Sequence, residues 1–218
     1  MAARVTYFQG YGRAEFIRAM FEASGVSYTN EEVTQEEWPA IKASGRFQFG
    51  SMPEVELDGV KMNQSRSAAR SVAIKYGYYS TDPDTIHAID ALLDFNQESF
   101  DKISAYLFDQ DKNEEKDNAW IGLWKAKGDL LEARLKNHGQ PWLAGTTKPT
   151  LVDFSVVAHY YSVTYNEGSA FGPLCQRIKD EVLSQQPCMK KYLEETVIND
   201  ASMKSYFEKK SERGPRPF

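Results

Sequence analysis

Polar and apolar residues alternate over residues 53–57 (PEVEL), the period of a strand with one buried face. Asp58-Gly59 then supplies a two-residue hairpin turn, because glycine takes a positive φ without a Cβ clash, and residues 60–62 return as a second short strand. After Gln64 the period becomes helical: Ala68, Ala69, Val72 and Ala73 share one face, and Ser65 is the expected N-cap. Upstream, residues 4–8 read as a strand and Gln9-Gly10-Tyr11-Gly12 as a turn. Ala14, Ile17, Met20 and Phe21 then line one side of a helix that Gly25 stops. Residues 26–33 form a second strand, parallel to the first because a helical crossover joins them. Residues 36–43 read as a short helix interrupted by Pro39. The first third is therefore βαβαββα.

Residues 76–84 (YGYYSTDPD) have linker composition, and the character changes after them. Ile86, Ile89, Leu92, Leu93, Asn96, Phe100 and Ile103 predict one long helix over about residues 84–109. A charged break over 112–117 separates it from a second helical pattern over 119–135. Thr150-Leu151-Val152-Asp153 has the form of a capping box ahead of an apolar run, which reads as the nucleus of a central helix. Further helices are expected over 174–183, 189–197 and 201–209, with a loose tail from Arg213. The pattern predicts an α/β domain over residues 1–77 followed by an all-α domain over 85–210.

Composition narrows the function. The 218 residues carry a net charge of −5 and no basic tract, which argues against a nucleic-acid partner. No apolar run approaches the ~20 residues that a membrane span needs. Residues 1–15 lack the apolar core of a signal peptide, so a cytoplasmic location is expected. Cys175 and Cys188 make no metal-ligand spacing with the three histidines, and no metal site is expected.

Two features of the hairpin bear on ligand binding. Met52-Pro53 is a place where a cis peptide is cheap, and a cis bond would open the backbone N–H and C=O of Met52 to a ligand. The helix after Gln64 aims free N–H groups and a positive dipole end at its N-terminus. Together they suit a peptide bearing a carboxylate, although a hairpin packed on an ordinary capped helix accounts for the same residues.

Four segments carry a resemblance to the cytosolic glutathione transferases, with the sigma class the closest match. They are Thr6-Tyr7-Phe8 with Gly12-Arg13-Ala14-Glu15-Phe16-Ile17-Arg18; Glu37-Trp38-Pro39-Ala40-Ile41-Lys42; Met52-Pro53 through Gln64-Ser65; and Leu151-Val152-Asp153-Phe154. The resemblance implies a thioredoxin-like N-terminal domain, a helical-bundle C-terminal domain, a homodimer, and glutathione as cosubstrate with no tightly bound cofactor.

It also implies roles. Tyr7 is the donor that favours the glutathione thiolate, whose thiol has a free pKa of ~8.5. Arg13 orients Tyr7 or adds positive potential at the sulfur; as an ordinary surface residue it would pair with Glu15 or another acid. Gln64 and Ser65 take the γ-glutamyl end, Met52 and Pro53 present a backbone edge, and Trp38 and Lys42 take the glycyl carboxylate. Ser51 stands where many class members have lysine. Glu98, beside Gln97, is the acid expected to reach the partner subunit's site. The electrophile pocket is expected beside Tyr7, among Phe8, Gly12, Ile103, Tyr106 and Ser155. The expected activity is attack of the thiolate on small apolar electrophiles. A glutathione-dependent prostaglandin-type isomerase and a non-catalytic crystallin of the same fold are the alternatives. No cysteine lies near the first helix, which disfavours a thioredoxin-type redox role.

Overall fold

The computed structural model of the chain describes residues 3–166 and 171–213. Strand β1 (Ala3–Phe8) bonds on both edges, to β2 (Tyr28–Val33) in parallel and to β3 (Glu54–Leu57) antiparallel. β4 (Val60–Asn63) completes a four-stranded sheet of order β2-β1-β3-β4. The crossover between β1 and β2 is α1 (Glu15–Ala23), entered through a 3-10 turn over Gly12–Ala14. Val5 pairs with Val55 and both are fully buried, so the inward positions of the sheet meet α1 and α3 (Ser65–Tyr76) in one core. The β3–β4 turn has positive φ at both Asp58 and Gly59, as its two-residue length requires. The short α2 (Trp38–Ala43) lies outside this core and buries none of its residues.

The second half is helical: α4 (Pro83–Leu107), α5 (Glu114–His138), α6 (Leu151–Val163), α7 (Gly172–Arg177), α8 (Pro187–Lys191), α9 (Val197–Asn199) and α10 (Ala201–Arg213). Every residue of α6 is buried, because α1 and α4 both pack on it. Its capping box forms as the sequence predicts. Asp153 takes the Thr150 backbone N–H at 2.7 Å, and it also accepts the Leu143 N–H at 3.0 Å and the Tyr192 hydroxyl at 2.9 Å. A cap that also binds two other segments fixes where α6 starts relative to its neighbours.

Three boundaries differ from the sequence reading. The helix expected to start at residue 119 starts at Glu114, inside the charged break. Asn113 caps it, and Glu114, Glu115 and Asp117 put negative charge at its positive end. The cap of α3 is Gln64, not Ser65; Ser65 is the first helical residue. Arg213, expected to open a loose tail, ends α10 with its guanidinium largely buried, and residues 214–218 of that expected tail lie outside the described residues. The expected helices over 174–183 and 189–197 are each interrupted by a π-helical turn, at Ile178–Val182 and Tyr192–Thr196. These wide turns still bury Ile178, Val182, Tyr192 and Leu193.

Candidate active site

The end of β1 and the start of α1 bring three of the predicted residues together. Tyr7 is half-buried on β1, and its phenol oxygen accepts the Arg13 backbone N–H at 3.2 Å. Gly12 lies against that hydroxyl with φ +44°; a Cβ there would stand 2.6 Å from Tyr7 Oη. The Arg13 side chain goes elsewhere. Its guanidinium binds Asp101 on α4 at 2.5 Å and covers the Phe100 ring at 5.1 Å. Arg13 thus meets Tyr7 through its main chain, and its ionic partner is Asp101 and not Glu15.

A buried cation that sequence reasoning passed over stands behind Tyr7. Arg18 is 1% exposed, with its guanidinium carbon 5.8 Å from the Tyr7 ring centre. It donates to the carbonyls of Gly10 at 2.8 Å and Tyr11 at 3.4 Å, to Asn30 at 2.9 Å and to Glu15 at 3.2 Å. Five fixed donors on a planar group suit it to clamp several acceptors of one turn. The signal was present: Glu15, Arg18 and Glu22 recur at helical spacing as one charged stripe on α1, and all three are buried.

The residues expected to hold glutathione cluster at the same end of the sheet. Trp38 meets Phe8 edge-on with ring centres 5.5 Å apart and also touches Phe47, at 5.7 Å. Lys42 is exposed, with Nζ 5.9 Å from the Trp38 ring. Arg46 anchors this loop from beneath. It binds Glu31 at 2.6 Å and Thr6 at 3.2 Å, and this pairing lowers the Glu31 carboxyl to about 2. Ser51 is exposed, Met52 half-buried and Pro53 buried, and the Met52-Pro53 bond is cis. Gln64 has φ +66°, a backbone rarely tolerated outside glycine, and its side chain does not cap the helix. The first turn of α3, beginning at Ser65, holds no acidic residue, so its N–H groups and dipole have no anion of their own.

The expected electrophile wall is divided. Gly12, Arg13 and Ser155 border one narrow cleft of about 20 Å³, together with Asn96, Phe100 and His159. Ser155 is held there by Asn96 at 2.7 Å, a polar residue in the apolar stripe of α4. Ile103 and Tyr106 do not join it. Ile103 is fully buried and its carbonyl accepts the Trp120 indole N–H at 3.0 Å; Tyr106 stacks on Trp120 at 4.9 Å and donates to Asp117. Trp120 on α5 lies against the end of α4, where Tyr106 borders a separate open cavity of about 330 Å³ with Ala105 and Trp120. Phe8 turns to Tyr7 and Trp38. Glu98 is exposed on α4, while Gln97 donates to Asp101 at 2.8 Å. Behind the cleft, Lys127 is buried with Nζ 2.7 Å from His159 Nδ1, and burial pushes both well below their ordinary pKa values.

This arrangement puts a phenol, a polarising N–H and an open helix N-terminus at one end of a small mixed sheet, with a helical domain beside it. Comparison with known proteins gives it a family. The mouse protein named glutathione S-transferase A4 is 31% identical over 202 residues, 89% of this chain and 90% of its own length. Human glutathione S-transferase A3 is 31% identical over 201 residues, 88% of this chain and 87% of its own. Monomeric Na-GST-3, a glutathione S-transferase from the hookworm Necator americanus, superposes with a TM-score of 0.80 at 25% identity, over 96% of this chain and 98% of its own. No protein-family model matches the chain. The chain belongs to the glutathione S-transferase family, and it is an enzyme of that kind.

Proposed function

We propose that the chain activates the glutathione thiol through Tyr7 for attack on small electrophiles. The observation that carries this reading is the 3.2 Å hydrogen bond from the Arg13 backbone N–H to Tyr7 Oη. That bond uses a lone pair of the phenol and leaves its O–H to donate, and drawing electron density from the oxygen makes the O–H a stronger donor. A donor aimed at sulfur favours the thiolate over the thiol. The thiolate then attacks the electrophile; a C–S bond forms and the leaving group departs with its electron pair. Holding both reactants together supplies the remainder of the rate.

The peptide is read along this end of the sheet. The γ-glutamyl carboxylate sits at the uncapped N-terminus of α3, beside Gln64 and Ser65. The cysteinyl backbone lies along Met52 and Pro53, as a strand would add to an edge. The glycyl carboxylate is taken by Trp38 and Lys42, with Ser51 contributing a hydroxyl where a lysine would contribute charge. The electrophile enters past Gly12 and Ser155, whose surroundings are more polar than an apolar substrate alone requires. The Tyr7, Gly12-Arg13 and Gln64-Ser65 set fits a sigma-type member, detoxification is the fitting role, and the expected location is the cytoplasm. Among the described residues no helix is long and apolar enough to cross a membrane.

A homodimer completes this reading, with Glu98 offered to the partner's γ-glutamyl amine. Its support is an exposed apolar set on one chain: Phe49 at 56%, Ile74 at 64% and Leu130 at 59%, with an open groove of about 570 Å³ beside Leu92, Phe95 and Leu130. The deciding experiment is turnover of a chloronitrobenzene with glutathione, on wild type and Tyr7→Phe, with glutathione affinity by calorimetry. Tyr7→Phe is expected to lower kcat by on the order of 10–1,000-fold while keeping most of the affinity. Equal turnover in the two proteins overturns the assignment of Tyr7.

A further inference from the structure

We propose that Arg213, at the end of the C-terminal helix α10, is a positioning residue for Tyr7, acting through Glu15 and Arg18 on the turn that carries Gly12 and Arg13. This rests on the reading of Tyr7 as the thiol-activating group. Arg213 lies 198 residues from Glu15 in sequence, yet its guanidinium binds that carboxylate at 2.5 Å and also binds Glu22. Its side chain is 13% exposed, while the Glu15 side chain is 0% and the Glu22 side chain 6% exposed. Two acids and two arginines, Arg18 and Arg213, are therefore buried as one connected set on α1 and α10.

The connection matters because Glu15 is shared. One of its oxygens holds Arg213 and the other holds Arg18. Arg18 in turn clamps the Gly10 and Tyr11 carbonyls, immediately before Gly12 and the Arg13 N–H that meets Tyr7. Without Arg213, Glu22 is neutralised by a proton, one oxygen of the buried Glu15 carboxylate loses its cation, and Arg18 is the arginine left to it. Arg18 is then drawn toward Glu15 and away from the carbonyls. The set has little slack to absorb the loss: Arg18 Nη2, Glu22 Oε2, Arg213 Nε and the Tyr206 hydroxyl are buried and have no partner among the described residues. Lys210, one turn earlier on α10, adds a second tie to the same loop, 3.2 Å from the Tyr11 hydroxyl. The groups assigned to glutathione binding, Trp38, Lys42, Gln64 and Ser65, lie on α2 and α3 and are not part of this chain of contacts. The expected effect is therefore on kcat and on the thiol, and not on glutathione affinity.

The test combines Arg213→Met, Glu22→Gln, their double variant, and Arg213→Met in a Tyr7→Phe background. The readouts are kcat, KM for glutathione, melting temperature, and the pH titration of bound thiolate by its ultraviolet absorbance. Arg213→Met is expected to lower kcat about tenfold and raise the bound thiol pKa by about one unit, which is the same factor expressed as an equilibrium, with KM changed less than twofold. Glu22→Gln keeps Arg213 on Glu15 and is expected to hold kcat within about twofold, and the double variant is expected to match Arg213→Met; a full loss in Glu22→Gln alone overturns the route through Glu15. In Tyr7→Phe, Arg213→Met should add nothing. Wild-type kcat and thiol pKa in folded Arg213→Met, beside an impaired Tyr7→Phe, overturn the proposal; so does an equal loss in both backgrounds. Wild-type turnover in Tyr7→Phe removes the underlying reading and the proposal with it. If Arg213→Met does not fold, Arg213→Lys decides: one ammonium cannot span both acids as the guanidinium does, so a two- to fivefold loss of kcat supports the proposal and no loss overturns it.

Discussion

Replacing Gly12 by alanine tests the geometry of Tyr7, the residue proposed to activate the thiol, without touching its chemistry. The added Cβ would stand 2.6 Å from Tyr7 Oη and 2.8 Å from Cε1. To regain an ordinary van der Waals separation, the phenol must retreat by about 1 Å. The turn cannot move instead, because Arg18 holds the Gly10 and Tyr11 carbonyls and the Arg13 N–H is itself bonded to the phenol. A displacement of about 1 Å in a reacting group costs on the order of 100-fold in rate. Alanine at this left-handed φ adds strain of about 1–2 kcal/mol, which lowers stability but does not by itself affect the thiol. Gly25→Ala separates the two effects, since Gly25 has φ +66° and nothing lies within 4 Å of the new Cβ. Gly12→Ala is expected to lose roughly 10–100-fold in kcat at saturating glutathione and to raise the bound thiol pKa. Gly25→Ala should lose comparable stability and keep its kcat. A folded Gly12→Ala enzyme with wild-type turnover and thiol titration would refute the argument that Gly12 is there to admit the Tyr7 hydroxyl.

Two further predictions concern buried charge. Burial raises the Glu22 carboxyl to about 7 against the opposing pull of Arg213, so folding takes up a proton between the ordinary value of 4.5 and about 7. That contribution to stability is complete below 4.5 and lost as pH rises through about 7; the melting-temperature advantage of wild type over Glu22→Gln should shrink between pH 5 and pH 8, and a constant difference would refute it. Lys127 is the reverse case: burial lowers its pKa, so the unfolded chain binds the extra proton and stability rises with pH toward the ordinary lysine value. Lys127→Met should therefore melt higher than wild type at pH 7, with the gain narrowing as pH climbs; a lower melting temperature at pH 7 would show that the bond to His159 outweighs the burial cost.

The fold was legible in the sequence because its elements are written in local periods. Strand alternation over 53–57, the Asp-Gly turn, the glycine stop after α1 and the Thr150–Asp153 box are all set by neighbours within a few residues, and each appears in the structure. Local chemistry also determined that Tyr7 would stand next to a glycine-containing turn at the start of a helix. The tertiary structure alone decided what those residues touch. That Arg13 gives its side chain to Asp101 and its main chain to Tyr7 depends on where α4 passes. That Ile103 and Tyr106 leave the cleft depends on where α5 passes and what Trp120 stacks on. That Arg213 ends a packed helix instead of opening a tail depends on two acids nearly two hundred residues away. The physical reason is common to all three: helix and strand periods are short-range preferences, whereas charged groups and aromatic rings take their partners from whichever element the packing brings within a few ångströms.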